Sequence, residues 1–176
     1  MPTPGSVTSN DTFTIRRTLD APRELVWRVY TERDHLMQWF GPKGFPMTQA
    51  SMDFRPGGIF HYCLIVPGGQ EMWGKWVFRE IVEPEKLVVV VSFSDAEGGI
   101  TRHPMNPDWP SETLGTTTFE EHEGKTIVTV SWQALGSDPV ANRLFAESHD
   151  SMRMGWSGTF EQLQAYLEKL GGETAR

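Results

Sequence analysis

LFAESHDSMRMGWSGTFEQLQAYLEKL, residues 144–170, decides how the rest of the chain must fold. Leu144, Phe145, Ser148, Met152, Trp156, Thr159, Phe160, Leu163, Tyr166, Leu167 and Leu170 recur every three or four residues, which is the period of one helix face. Ser137-Asp138-Pro139 reads as the start signal and Gly171-Gly172 as the stop. The pattern predicts one helix of about 32 residues, about 48 Å long at the usual rise. A stripe of that length must lie against something large, and the rest of the chain supplies a sheet.

Working back from the helix, strand patterns alternate with turn signals. DTFTIRRTL predicts a strand over about 12–19, with Phe13, Ile15 and Arg17 on one face and Thr14 and Arg16 on the other. Asp20 is placed to cap the following helix, with Pro22 where a missing N–H costs nothing. Leu25, Val26, Val29 and Tyr30 fall at helical spacing, and a second short helix over about 32–39 carries Leu36 and Trp39. Gly41-Pro42 ends it. PMTQASMDF, IFHYCLIV, EMWGKWVFREIV, KLVVVVSFS, TLGTTTFEEH and TIVTVSWQA then follow, four of the five joins between them being short. Short joins imply an antiparallel meander, not a parallel sheet with crossover helices. The long join is residues 95–112, DAEGGITRHPMNPDWPSE, which reads either as a lid or as disorder.

The fold class expected from this order is α+β: a curved antiparallel sheet of about seven strands wrapped around a long C-terminal helix, with two short helices after strand one. A curved sheet is not flush with a straight helix everywhere, so a cavity between them is expected. Gly155 and Gly158 fall where the helical stripe is most aromatic, each costing roughly 1 kcal/mol against alanine. Either they mark close packing or a kink, or they leave room for a ligand. Residues 12–171 are expected to form a single domain, with residues 1–11 a disordered lead-in and 172–176 a tail.

Composition narrows the partners. Sixteen Lys/Arg against twenty-three Asp/Glu give a net charge of −7, which argues against nucleic acid, whose phosphates need a basic footprint. No apolar run reaches the ~18 residues of a membrane-spanning helix. The N-terminus lacks the charged start and apolar stretch of a signal peptide. Cys63 is the single cysteine, so no intrachain disulfide forms, in keeping with a reducing, cytoplasmic setting. A homodimer through exposed sheet edges is conceivable on the same pattern.

With these pieces in order, the chain resembles the START-like, or SRPBCC, helix-grip superfamily, and within it the heat-shock-protein-90 ATPase activator homologue-like family. The resemblance spans roughly residues 12–170 and rests on APRELVWRVYTERDHLMQWFGP, MDFRPGGIF, FREIVEPEKLVVVVSFSD, TRHPMNPDWP, TTTFEEHEGKTIVTVSW and MRMGWSGTFEQLQAYL. It implies the same architecture, with a cavity between sheet and helix. Such families include co-chaperone domains, small-ligand binders and polyketide cyclase-like proteins, so the resemblance alone does not fix function.

Several constellations bear on chemistry. GPKG and RPGG are punctuation and not phosphate loops, because they run from helix to strand or strand to strand without the glycine spacing and Gly-Lys-Ser/Thr ending. Arg55 reads either as an ion-pair partner of Asp53 or Glu80, or as a polar anchor for an acidic ligand group, with Glu80 a second polar candidate. The histidines His35, His61, His103, His122 and His149 show no metal-ligand spacing, so no metal or cofactor is expected. Cys63 reads as a small buried hydrophobe. Ser148-His149-Asp150 is no triad, since neighbours on a helix point about 100° apart. Catalysis would need His61 or His149 facing the cavity beside a carboxylate such as Glu80 or Glu147.

The aromatic and methionine set is the strongest signal. Trp39, Phe40, His61, Trp73, Trp76, Phe78, Phe93, Met105, Trp109, Met152, Trp156 and Phe160 are the expected cavity residues, with Met105 and Trp109 placed to close over it from the long loop. The expected function is binding of a hydrophobic or aromatic small molecule in that cavity, without an assigned catalytic residue. The alternatives are a co-chaperone-like domain that stimulates a chaperone ATPase, and a hydrolase- or cyclase-type enzyme using a cavity histidine or carboxylate.

Overall fold

The computed structural model describes residues 12–104, 106–136 and 138–174, the last three of these by backbone only. Met105, Ser137 and the expected lead-in over 1–11 lie outside the described residues. The strands are β1 (Phe13–Leu19), β2 (Met47–Met52), β3 (Ile59–Ile65), β4 (Glu71–Val82), β5 (Lys86–Ser94), β6 (Ile100–Thr101), β7 (Thr113–His122) and β8 (Lys125–Ala134). The helices are α1 (Arg23–Thr31), α2 (Arg33–Trp39), α3 (Pro139–Glu147) and α4 (His149–Thr174). All strand pairs are antiparallel, in the order β1-β8-β7-β5-β4-β3-β2, with the two-residue β6 on the end of β5. This is the helix-grip arrangement: an open sheet, a pair of short helices after the first strand, and a long last helix.

Strand alternation sends one set of side chains toward the helices. Phe13, Ile15 and Leu19 of β1, Phe60, Tyr62 and Leu64 of β3, Trp76 and Phe78 of β4, and Val128 and Val130 of β8 are all buried. Against them α1 and α2 set Val26, Trp27, Val29, Tyr30, Leu36 and Trp39. Edge-to-face contacts tie the two layers, Trp27 and Tyr30 each lying 5.3 Å from Phe119. The Trp39 indole donates to the Val29 carbonyl at 2.9 Å, which satisfies its one polar group inside the core.

The C-terminal stripe departs from the sequence expectation in two ways. The single long helix is two helices, broken at Ser148, whose hydroxyl donates back to the Leu144 carbonyl at 2.6 Å. Serine bonded to the preceding turn competes with helix continuation, and the backbone there leaves helical values. At the other end Gly171 does not stop α4, which continues to Thr174. Its 26 residues span about 39 Å. The start signal of α3 is as expected, since Asp138 accepts from the Val140 N–H at 3.0 Å with Pro139 next to it. Asp20, by contrast, does not cap α1: Pro22 holds that position without a side-chain cap, and Asp20 instead donates its N–H to Gln164.

The long join after β5 is neither a plain loop nor a detached one. Asp95 accepts from the N–H groups of Glu97 and Gly99 in a tight turn that leads into β6. Beyond β6, the Trp109 ring lies 5.7 Å from that of Phe145, which joins this segment to α3.

Candidate functional site

The core is filled unevenly. In its C-terminal half α4 buries Phe160, Leu163 and Leu167 against the sheet. In its N-terminal half Ser151 and Gly155 are exposed and Met152 only half-buried. No side chain of α1 or α2 is among those facing this end of the sheet, and a cleft of about 480 Å³ remains there. Sheet, α4, the Phe40–Pro42 turn and the 103–110 segment enclose it.

Its floor depends on two glycines. A Cβ at Gly74 would stand 2.6 Å from the Tyr62 hydroxyl oxygen, and one at Gly115 would stand 2.9 Å from Trp132 Nε1. Tyr62 and Trp132 are the cross-strand partners of these glycines, so each ring lies over a strand that presents no side chain. Val91 and Phe93 extend the floor along β5. The wall on this side is Ser148, at the break before α4, and Ser151, Met152, Gly155, Trp156 and Thr159 on one face of α4. Trp156 stands edge-on to Trp132, with ring centroids 5.6 Å apart. A Cβ at Gly155 would meet no atom within 4 Å, so this glycine opens space and does not mark close packing.

The remaining walls come from turns. Gly41, at a φ of 113° that side-chain-bearing residues seldom adopt, lets the chain leave α2 and enter β2. Its carbonyl accepts from Thr159 Oγ1 at 3.1 Å and from Gln162 Nε2 at 2.6 Å, which fastens the turn to α4. Phe40 is thereby held edge-on to Tyr62 and Trp76, at 5.6 and 5.1 Å. At the opposite end His103 lies between Phe93, at 4.5 Å, and Trp109, at 6.3 Å. Pro42, Ser151 and Gly155 are the exposed lining residues and mark the mouth.

Of the residues expected at the cavity, Phe40, Trp73, Phe93, Trp109, Met152 and Trp156 are in its lining. Trp73 borders it while its ring stacks on His61 at 4.8 Å. His61 alternates onto the other face of β3, bonded through Nε2 to Ser94 Oγ and the Asp95 carbonyl. Trp39, Trp76 and Phe78 fill the core beneath the short helices, and Phe160 packs under Trp156 with the Arg17 guanidinium over its ring. Arg55 pairs with Asp53 at 2.7 Å and Glu80 with Lys86 at 3.3 Å, both pairs exposed and away from the cleft. Tyr62, Leu64, Met72, Val91, Trp132 and Ser151 line the cleft without having been singled out from the sequence. Gly74 and Gly115 within strands were the available signal for Tyr62 and Trp132, because strand glycine marks close approach by a neighbour.

The lining has two titratable side chains among the described residues, Tyr62 and His103. Burial pushes the Tyr62 hydroxyl well above its ordinary value, partly offset by a hydrogen bond with Trp76. Burial lowers the His103 pKa below its usual value, so its imidazole is neutral at pH 7. The acid–base candidates His61, His149, Glu80 and Glu147 are all outside the lining. Cys63 is buried in β3 and burial raises its thiol pKa, which leaves it a small hydrophobe and not a nucleophile. Among the described residues no three His, Cys, Asp or Glu side chains converge as metal ligands, and no helix is long and apolar enough to cross a membrane.

Comparison with known proteins agrees with this geometry. The family model described as Activator of Hsp90 ATPase homolog 1-like protein matches residues 20–168. A crystal structure of protein Ms6760 from Mycobacterium smegmatis is 27% identical, with 92% of this chain and 97% of that one covered at a TM-score of 0.72. A solution structure of a protein from Arthrobacter aurescens is 26% identical, covers 93% and 91%, and has a TM-score of 0.75. An AHSA1 protein from Silicibacter pomeroyi, at 18% identity and a TM-score of 0.66, shares the fold over 89% of this chain and 97% of that one. No curated protein sequence matches. The chain therefore belongs to the family of Activator of Hsp90 ATPase homolog 1-like proteins, in the START-like superfamily.

Proposed function

We propose that this protein binds a mostly apolar small molecule in the cleft between the sheet and α4. The observation that carries the reading is the cleft itself: about 480 Å³, lined by Phe40, Tyr62, Trp109, Trp132, Met152 and Trp156, with Gly155 leaving its mouth open. Volumes of roughly 300–1,000 Å³ with mainly apolar walls and a few polar groups are those of small-molecule sites. Apolar surface left facing water forgoes about 25 cal/mol per Å², which a ligand would recover. A chain selected only for stability would close the gap, and an alanine at Gly155 would be accommodated sterically.

Thermal denaturation with a panel of neutral aromatic and aliphatic compounds tests the reading, run on the wild type and on Trp156→Ala. Saturable stabilisation of the wild type, weakened in the variant, is expected. Absence of any shift across the panel, together with an experimental structure in which side chains fill the cleft, would remove the proposal.

A further inference from the structure

We infer that the ligand of this cleft is an uncharged amphiphile, held lengthwise along α4 with its polar end toward His103 and Ser148, and that molecules of similar shape bearing a carboxylate or ammonium are rejected. The inference rests on the reading of the cleft as a binding site and adds the ligand's charge and orientation.

Charge comes first. Among the described residues the lining contains no Asp, Glu, Lys or Arg, although 22% of the chain is charged. Three charged side chains close in sequence to the lining are engaged elsewhere. Arg102 donates to the Pro107 carbonyl, Glu147 pairs with Arg143 at 3.0 Å, and Arg153 lies over the Phe13 ring. Ser148 just before α4 and Ser151 in its first turn reach the cleft, and a helix start attracts anions. Asp150 already supplies a negative charge in that turn, which opposes a second one. An ionised ligand group would therefore enter without a partner, and burying an unpaired ion is strongly unfavourable.

Orientation follows from how the polar groups are shared out. At the end near Phe40 the Thr159 hydroxyl is already engaged with the Gly41 and Gly155 carbonyls, beside Leu64 and Tyr62. Thr159 is buried, whereas at the other end stand the half-buried His103 imidazole and Asn106 amide, the exposed Ser151 hydroxyl, and Ser148, whose hydroxyl donates to the Leu144 carbonyl and keeps its lone pairs for a ligand donor. Trp109 against Phe145 brings the segment bearing His103 and Asn106 to the end of α3, just before Ser148. Ser148 and Thr159 are 11 positions apart along the chain, about 16 Å at the helical rise. A ligand of that order of length would place a hydroxyl or carbonyl at the first group and an apolar body at the second.

Isothermal titration of the full chain at neutral pH with para-phenylphenol, para-phenylbenzoate and para-phenylbenzylammonium separates the alternatives. The three probes share one apolar body and differ in head charge. The neutral phenol is expected to bind at least about 100-fold more tightly than either ion, a ratio within reach of one unpaired buried charge. Comparable dissociation constants for phenol and benzoate would overturn this inference and leave the ligand-binding reading standing. Binding by none of the three would contradict both.

Discussion

The Tyr62 ring lies across Gly74 on the neighbouring strand, so closely that a methyl group at Gly74 would approach its hydroxyl oxygen to 2.6 Å. The pairing is repeated on the other side of the cleft by Trp132 over Gly115. Two bare strand positions thus carry two flat rings as the cleft floor.

Gly74→Ala is expected to destabilise the fold by about 1–3 kcal/mol, since the added carbon must displace a buried ring. Gly115→Ala should act in the same direction through Trp132. Urea denaturation of each variant checks this, and a Gly74→Ala midpoint equal to the wild type would show that the ring is not held there.

Gly155 should behave in the opposite way. Its Cβ position is open, and alanine is favoured over glycine within a helix by about 1 kcal/mol. Gly155→Ala is expected to raise the urea midpoint, where the strand glycines lower it.

Alkaline titration reads the buried tyrosines. Tyr30 and Tyr62 are both buried, and burial raises both pKa values well above the ordinary value near 10. Above pH ~10 the unfolded chain releases these protons while the folded chain retains them, so folding stability falls as pH rises. Tyrosinate absorbance should show Tyr30 and Tyr62 ionising only as the protein unfolds. Replacing Tyr62 by phenylalanine should flatten the alkaline loss of stability.

His103 gives a smaller effect at acid pH. Its folded pKa is lowered by burial, so between pH ~6.5 and the folded value the unfolded chain binds the extra proton. Stability contributed by the neutral ring is complete above ~6.5 and declines as pH falls. Proton NMR should show the His103 ring titrating below the ~6.5 of an ordinary histidine, and a His103 midpoint above ~6.5 would contradict the effect of its burial.

How much of this was legible in the sequence depends on the range of the interaction. Strands and their antiparallel joins follow from local alternation and turn residues, and the stripe from Leu144 to Leu170 required a sheet to lie against. Ser148 was hidden because its break comes from a hydroxyl bonding back to Leu144, while the apolar spacing runs through it unbroken. Trp39 and Trp156 look alike as letters. One donates into the core at Val29 and the other faces the cleft, a difference set by how α2 and α4 sit on the sheet. Gly155 left two readings open, close approach or room, and only the atoms around it decide for room. His61 required knowing the parity of β3, which the run Phe60 to Leu64, apolar on both faces, does not reveal.

The most direct test of the cleft as a binding site compares the wild type with Gly155→Leu in a tryptophan-fluorescence titration with para-phenylphenol. Leucine is a good helix former and a Cβ at this position meets no atom within 4 Å, so the variant is expected to keep the fold, which its urea midpoint checks. The expected result is saturable quenching in the wild type, from Trp132 and Trp156, and at least about tenfold weaker binding in the folded variant, equivalent to about 1.4 kcal/mol. Equal affinity in the two proteins, or no saturable signal in the wild type, would contradict the account.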